Sequence, residues 1–400
     1  MKKARLKSAA ILLLSITLLN GCAQSAGSFT KEGLQNFNSG NYDKAKDNFS
    51  KALELNNDRA DYYIDYAMTL IQLGKYEEAN QYLDRAILNK TNRIVNKNNK
   101  LAYRGKGIAY FKSHDYKKAI SQFDMALAIH ELSDLNMDIL YYKGNSQARS
   151  GLYKEAIKTY TEIINKNPSD AYTYYCRADS YRLLKDYKNS LTDYDKAIKL
   201  DSKKYEFYFG KYFLLVETGD KNGAAAVLEM AANIKGMTQE DNFNLAKVHY
   251  YMGNYDGAVR EFSEAFRNGF AEAYYFLGTI YEQKKDYKNA VNNYSMYIKE
   301  EPNITSASVY DKIAFCQMKL ADYGAALSYI QTGLKYNDIT LNQSLKRNEI
   351  IVYENMGDFE KAYGLMKEYT KAYAEDEKAK TELEFIKTRL PEASTAHKEQ

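Results

Sequence analysis

Small and large side chains return along this chain at a long, nearly constant interval. The phrase Gly40-Asn41-Tyr42-Asp43-Lys44-Ala45 recurs 34 residues later as Gly74-Lys75-Tyr76-Glu77-Glu78-Ala79. It returns as His114-Asp115-Tyr116, Gly151-Leu152-Tyr153, Lys185-Asp186-Tyr187, Gly219-Asp220-Lys221, Gly253-Asn254-Tyr255, Lys285-Asp286-Tyr287, Ala321-Asp322-Tyr323 and Gly357-Asp358-Phe359. The copies begin near residues 26, 60, 100, 137, 171, 205, 239, 271, 307 and 343; four of the nine intervals are 34 residues and the others run from 32 to 40. Each phrase ends on a small residue (Ala45, Ala79, Ala119, Ala156, Ala224, Ala258, Ala290, Ala326 or Ala362, with Ser190 the exception). Four residues later comes a large one: Phe49, Leu83, Phe123, Tyr160, Tyr194, Leu228, Phe262, Tyr294, Ile330 or Met366. Residues four apart share one face of a helix. The pattern therefore predicts helices on which a small residue admits a neighbouring backbone and a large one fills the space beside it.

The punctuation keeps the same register. Gly, Asp and Asn at the head of the phrase permit a tight reversal between helices. Pro168 and Pro302 fall at one repeat position, where each stops a helix. Six additional residues around Arg93 to Lys100 lengthen the second interval and predict a polar loop or an extended helix end, not a domain boundary. The charged segment 375–390, closed by Pro391, predicts a last helix whose outer face is rich in Lys and Glu, as the end of a stacked array requires. Residues 391–400 are expected to be disordered.

This period and residue pattern resemble the tetratricopeptide repeat (TPR) family. The resemblance implies an all-α, right-handed superhelical solenoid of about ten helical hairpins over residues 26–376, with a capping helix over 375–390. The family's small first-helix position is held here by Gly33, Ala67, Gly107, Gly144, Ala178, Ala246, Gly278 and Ala314, while Tyr212 and Ile350 depart from it. Ligands of the family lie along a concave surface lined by first helices. The repeat register then implies a partner-binding groove of Tyr141, Asn145, Arg149, Tyr172, Tyr175, Asp179, Arg182, Phe209, Phe213, Phe243, Lys247, Tyr250, Tyr251 and Tyr275. Such aromatics offer large contact area at low entropic cost and suit extended peptides or sugar rings. Some members grip a C-terminal carboxylate with Lys, Asn and Arg in successive repeats. Here Arg104 and Asn145 stand alone, with Ile108, Tyr141 and Cys176 at the matching places, so that clamp is not implied.

The start of the chain reads as an address. Lys2, Lys3, Arg5 and Lys7 precede the apolar run Ala9 to Leu19. That run is shorter than the about 20 residues needed to span a bilayer, and it suits a signal peptide over residues 1–21. Leu19-Asn20-Gly21-Cys22 resembles a bacterial lipobox, which implies lipidation of Cys22 and a short tether over 22–28. Six extended residues reach about 20 Å, and two or more acyl chains anchor stably. The expected location is the extracytoplasmic face of the cell membrane, lipid-anchored.

Charge and candidate chemistry narrow the function. The chain has 56 Lys+Arg against 52 Asp+Glu, and four of the basic residues leave with the signal peptide. A neutral mature chain has no counterion-release drive toward nucleic acid. Cys176 and Cys316 lie 140 positions apart and are expected to be packing residues rather than a disulfide. There is no Gly-rich phosphate loop, HExxH or CxxC motif, and His114, His130, His249 and His397 are scattered. Ser28-Phe29-Thr30-Lys31 has the spacing of a serine–lysine pair but lacks any accompanying motif. No enzyme activity, metal or cofactor is expected. The sequence points to a membrane-anchored scaffold for other envelope proteins or extended peptides, with a carbohydrate-binding accessory for exported polysaccharide as the alternative.

Overall fold

The computed structural model describes residues 25–391 apart from 237, 302–305, 337 and 339–340, so Cys22, Pro302 and the segments 1–24 and 392–400 lie outside the described residues. Among the described residues every regular element is helical. The first helices are α1 (Ala26–Asn38), α3 (Ala60–Gln72), α5 (Arg93–Lys112), α7 (Asn136–Arg149), α9 (Ala171–Leu183), α11 (Tyr205–Glu217), α13 (Gln239–Tyr251), α15 (Glu272–Gln283), α17 (Ala307–Lys319) and α19 (Asn342–Met356). Their second helices are α2 (Tyr42–Leu55), α4 (Tyr76–Ala86), α6 (Tyr116–Leu127), α8 (Tyr153–Lys166), α10 (Tyr187–Leu200), α12 (Lys221–Ala232), α14 (Tyr255–Arg267), α16 (Tyr287–Glu300), α18 (Tyr323–Leu334) and α20 (Phe359–Ala372). A last helix, α21 (Glu377–Lys387), follows. The chain forms two compact units, residues 1–224 and 225–400, and α12 spans the division. Within each unit the consecutive helices from α1 to α11, and from α13 to α21, pack on one another in chain order.

One turn joins every first helix to its partner. A residue with positive φ closes each first helix: Gly40, Gly74, Gly151, Gly219, Gly253 and Gly357, but also His114, Lys185, Lys285 and Ala321. The next residue's N–H bonds back to the carbonyl five positions earlier, as in Asn41 to Asn36 (2.8 Å), Asp186 to Tyr181 (2.9 Å) and Asp322 to Gln317 (3.0 Å). This left-handed closure satisfies the carbonyls that a helix end leaves open. The same next residue caps the second helix. Asp115, Asp186, Asn254, Asp286, Asp322 and Asp358 each accept the backbone N–H three residues on. Lys75 and Leu152 stand in that place without a side-chain cap.

The large second-helix residue is the centre of each hairpin's core. Phe49, Tyr160 and Tyr294 press on Gly33, Gly144 and Gly278 of their own first helix, where an added Cβ would lie 2.7, 2.6 and 2.6 Å from the ring. Leu83 and Tyr194 also meet Gly105 and Gly210 of the next first helix, at 3.1 and 2.5 Å from such a Cβ. Packing at this density leaves no room for a methyl group without displacement. The exception in the alanine series is satisfied locally: the buried Ser190 hydroxyl donates to the Ala178 carbonyl at 2.9 Å.

Charged pairs join successive hairpins of the first unit. Lys106, Lys143 and Lys211 on first helices reach Asp84, Asp124 and Asp195 on the preceding second helices at 2.5, 2.6 and 2.6 Å. Arg177, at the equivalent place, donates to Thr161 (2.9 Å) and holds Asp193 with two hydrogen bonds (2.6 and 2.9 Å). The aspartates that the lysines reach are exposed, so each lysine pair contributes under about 1 kcal/mol.

One boundary differs from expectation, and one of two open readings holds. Ala26, Gly27 and Ser28 are helical, because the Ser25 side chain caps α1, so they do not extend a tether. The six additional residues form an N-terminal extension of α5, capped by the Asn92 side chain, which accepts from Ile94 and Val95. The segment expected as a final helix over 375–390 contains α21, with Asp376 as its cap.

Candidate partner-binding surface

In the first unit, helices α7, α9 and α11 bring most of the sequence-derived groove residues together. The Tyr160 hydroxyl donates to Asn145 Oδ1 at 2.8 Å, and the Tyr194 hydroxyl to Asp179 at 2.5 Å. Thr173 donates to the Tyr141 hydroxyl at 2.6 Å. Tyr172 and Tyr175 lie with ring centroids 5.7 Å apart, and Tyr175 packs on Phe207 at 5.3 Å. Burial pushes the Asp179 carboxyl above its ordinary value, while the Tyr194 hydroxyl, Arg182, the Tyr175 hydroxyl and Arg149 oppose that shift. Arg182 also donates to Glu217 across α9 and α11 at 3.1 Å, and Tyr187 donates to the same carboxylate at 3.0 Å. Leu183 follows Arg182 on α9, and Val216 precedes Glu217 on α11. Leu183, Val216 and Phe213 are each more than two-fifths exposed.

In the second unit, Tyr250 packs against Tyr251 and Phe276 (5.1 and 5.3 Å between centroids), and Tyr275 against Phe276, Tyr294 and Tyr297 (5.9, 5.8 and 5.6 Å). Lys247 lies over the rings of Phe243 and Phe276, 5.6 Å from each centroid. Glu282 accepts from Tyr294 (2.6 Å) and pairs with Lys312 (3.1 Å).

Two expected groove residues are core residues instead. Phe243 is fully buried, stacked on Phe270 at 5.1 Å and edge-on to Phe262 at 5.8 Å, and Phe209 is also buried. Both occupy the repeat position that holds Tyr141, Tyr175 and Tyr275, which are only half-buried. A tyrosine at this position keeps its hydroxyl toward water or a polar partner, whereas phenylalanine has no such constraint and sinks inward. Thr173, Glu217, Phe207, Tyr160 and Tyr194 act in the site without having been expected there. For Tyr160 and Tyr194 a signal existed: each lies 15 residues after a polar first-helix residue.

Cys176 and Cys316 are free, buried thiols in the apolar clusters of different units, and burial pushes the Cys316 thiol up to about 12 and Cys176 higher still. They pack rather than react.

Family models described as tetratricopeptide repeats match residues 37–95, then 67–134, 104–172 and 243–303, and also 171–204. Together they cover more than half of the chain, which belongs to the tetratricopeptide repeat family. Repeats of this family are scaffolds for protein–protein interaction, and that is the class of function the chain carries. The Hsp70-Hsp90 organizing protein of Triticum aestivum is 31% identical over 216 residues, which are 44% of this chain and 37% of that protein. Hsp70-Hsp90 organizing protein 3 of Arabidopsis thaliana is 29% identical over 226 residues, 47% of this chain and 40% of that protein. The match therefore spans well under half the length of these relatives. Among solved structures, yeast Tom70 is similar with a TM-score of 0.50 and 18% identity over 92% of this chain and 90% of that one. That likeness places the fold among TPR solenoids.

Proposed function

We propose that the chain is a lipid-anchored, extracytoplasmic scaffold that binds an extended segment of another envelope protein along the first helices of its first unit. The observation that carries this reading is the exposure of Leu183 on α9 and of Phe213 and Val216 on α11, the two helices that the Arg182–Glu217 pair joins. Exposed aromatic and aliphatic side chains next to fixed charges are the composition of a protein-binding hot spot. The hydroxyls of Tyr141, Tyr160 and Tyr194 are engaged within the chain. Exposed apolar side chains beside a fixed ion pair favour a peptide over a polysaccharide. The anchor rests on Leu19-Asn20-Gly21-Cys22 and the apolar run before it.

The test has two arms in the producing cell. A clickable fatty acid labels the parent chain, and Cys22→Ser abolishes the label. Affinity purification after crosslinking recovers an envelope protein with the parent, and Phe213→Asp with Leu183→Asp loses it. Equal recovery with both forms would remove these side chains from the function. Retention of both on insoluble wall polysaccharide would turn the reading toward carbohydrate.

A further inference from the structure

From Arg85 to His114 the chain has no aspartate or glutamate, while Lys and Arg recur every few residues. Several of these cations are engaged. The buried Lys100 donates to the Ile129 carbonyl and to Asn136 Oδ1, both at 2.7 Å. Arg104 pairs with Asp138, and Lys106 with Asp84, each at 2.5 Å. Lys90 and Lys97 form no ion pair among the described residues, and Arg93 has only a distant attraction to Glu131. These three cations gather at the N-terminal extension of α5.

The extension is fixed in place. Asn99 Oδ1 accepts the Leu88 N–H and Asn99 Nδ2 donates to the Leu88 carbonyl, both at 2.9 Å. Asn96 donates to Glu131 at 3.0 Å. On this braced turn two aliphatic side chains stand in water: Ile94 is 72% exposed, the most of any large apolar residue described, and Leu88 is 41% exposed.

We propose that this surface docks on an anionic lipid bilayer. Lys90, Arg93 and Lys97 lie among the headgroup phosphates, and Ile94 and Leu88 enter the apolar margin below them. Aliphatic side chains ringed by unpaired cations are the composition of an interfacial membrane contact. A soluble polyanion would use the cations but gain nothing from Ile94. No described helix is long and apolar enough to cross a membrane, so the contact is peripheral. The proposal rests neither on lipidation of Cys22 nor on the groove of α7, α9 and α11.

The test uses the full chain carrying Cys22→Ser and Ile94→Cys, labelled at residue 94 with an environment-sensitive nitrobenzoxadiazole; Cys176 and Cys316 are buried and stay unlabelled. Vesicles of phosphatidylcholine are compared with vesicles of equal parts phosphatidylcholine and phosphatidylglycerol. On the anionic vesicles the emission shifts to the blue and a lipid-borne spin label quenches it. Adding Lys90→Glu, Arg93→Glu and Lys97→Glu weakens that response roughly tenfold or more, and high salt reverses it. Thermal melting checks the fold of this charge-reversed form. Lys97→Gln alone gives an intermediate loss and keeps the test decisive should the triple change unfold the chain. A label that stays in water on both vesicle types overturns the proposal. So does equal quenching on both, or an unchanged response after charge reversal. An emission shift with soluble polyphosphate that matches the vesicles would assign the cations to a polyanion instead.

Discussion

The Tyr194 hydroxyl donates to Asp179 at 2.5 Å, across 15 residues of chain, and the two side chains form a matched pair. Where the large second-helix residue is tyrosine, a polar residue stands 15 positions earlier: Asn145 before Tyr160, Asp179 before Tyr194, Thr279 before Tyr294. Where that residue has no hydroxyl, the same place is apolar: Leu34 before Phe49, Met68 before Leu83, Ile108 before Phe123, Phe315 before Ile330 and Ile351 before Met366. Phe262 is the departure, with Lys247 at that place lying over the Phe243 and Phe276 rings. The reason is that a buried hydroxyl without a partner is costly, while an apolar pair of similar shape needs none.

Tyr194→Phe should therefore destabilise the chain by about 1–2 kcal/mol, because Asp179 loses its hydroxyl donor. Adding Asp179→Leu should recover most of the loss, since the hairpin then carries the apolar pairing of its neighbours. Denaturant unfolding of the parent, the two single variants and the double variant measures this. Equal or greater loss in the double variant would contradict the pairing.

Ala321, Lys185, Lys285 and His114 hold a left-handed backbone that glycine holds in the other turns. Nothing lies within 4 Å of a Cβ added at Gly40, Gly151 or Gly357, so the backbone conformation alone decides the effect. Ala321→Gly should stabilise by about 1 kcal/mol and Gly151→Ala should destabilise by about as much. Paired thermal melts give both signs.

Leu152 sits where seven other hairpins place a capping Asp or Asn, and it is 41% exposed. Leu152→Asp should supply the missing acceptor for the Glu155 N–H and stabilise α8 by about 1 kcal/mol. Hydrogen exchange in the first turn of α8 should slow. Unchanged exchange would show that the turn is already satisfied.

Between α19 and α21, burial and then the neighbouring Glu382 push Glu354 up to about 7, against 4.5 for a free glutamate, while Arg347 opposes the shift. Glu354 Oε1 is buried with no acceptor role filled among the described residues, and the protonated carboxyl can donate to Glu382, which Arg347 holds. A raised folded value means that the contribution is full below pH 4.5 and is lost as pH rises through 7. Protection of α21 amides should fall from pH 5 to pH 8, and Glu354→Gln should flatten that dependence. A pH profile identical in parent and variant would place the effect elsewhere.

The hairpin register was legible because it rests on side-chain size, which sequence states directly: Gly144 and Tyr160 name a close approach and the ring that fills it. The turn was legible for the same reason, since Gly151 and Asp186 are residue types with one dominant use. The groove was legible only in part. The repeat position of Phe243 points between groove and core, and its direction depends on Phe262 of α14, Phe270 of the following loop and Phe276 of α15. The α5 extension was open to two readings because Asn99, not an apolar stripe, clasps Leu88 and fixes the segment as helix. The Arg182–Glu217 bridge joins residues 35 positions apart, a contact that no local pattern announces.

The most direct test of the scaffold reading is photocrosslinking in the living cell from benzoylphenylalanine placed at Phe213, with Lys199 on the exposed side of α10 as the control position. A discrete crosslinked envelope protein is expected from residue 213 and absent from residue 199. The same crosslinks from both positions, or none from residue 213 in a chain that is folded and exported, would contradict it.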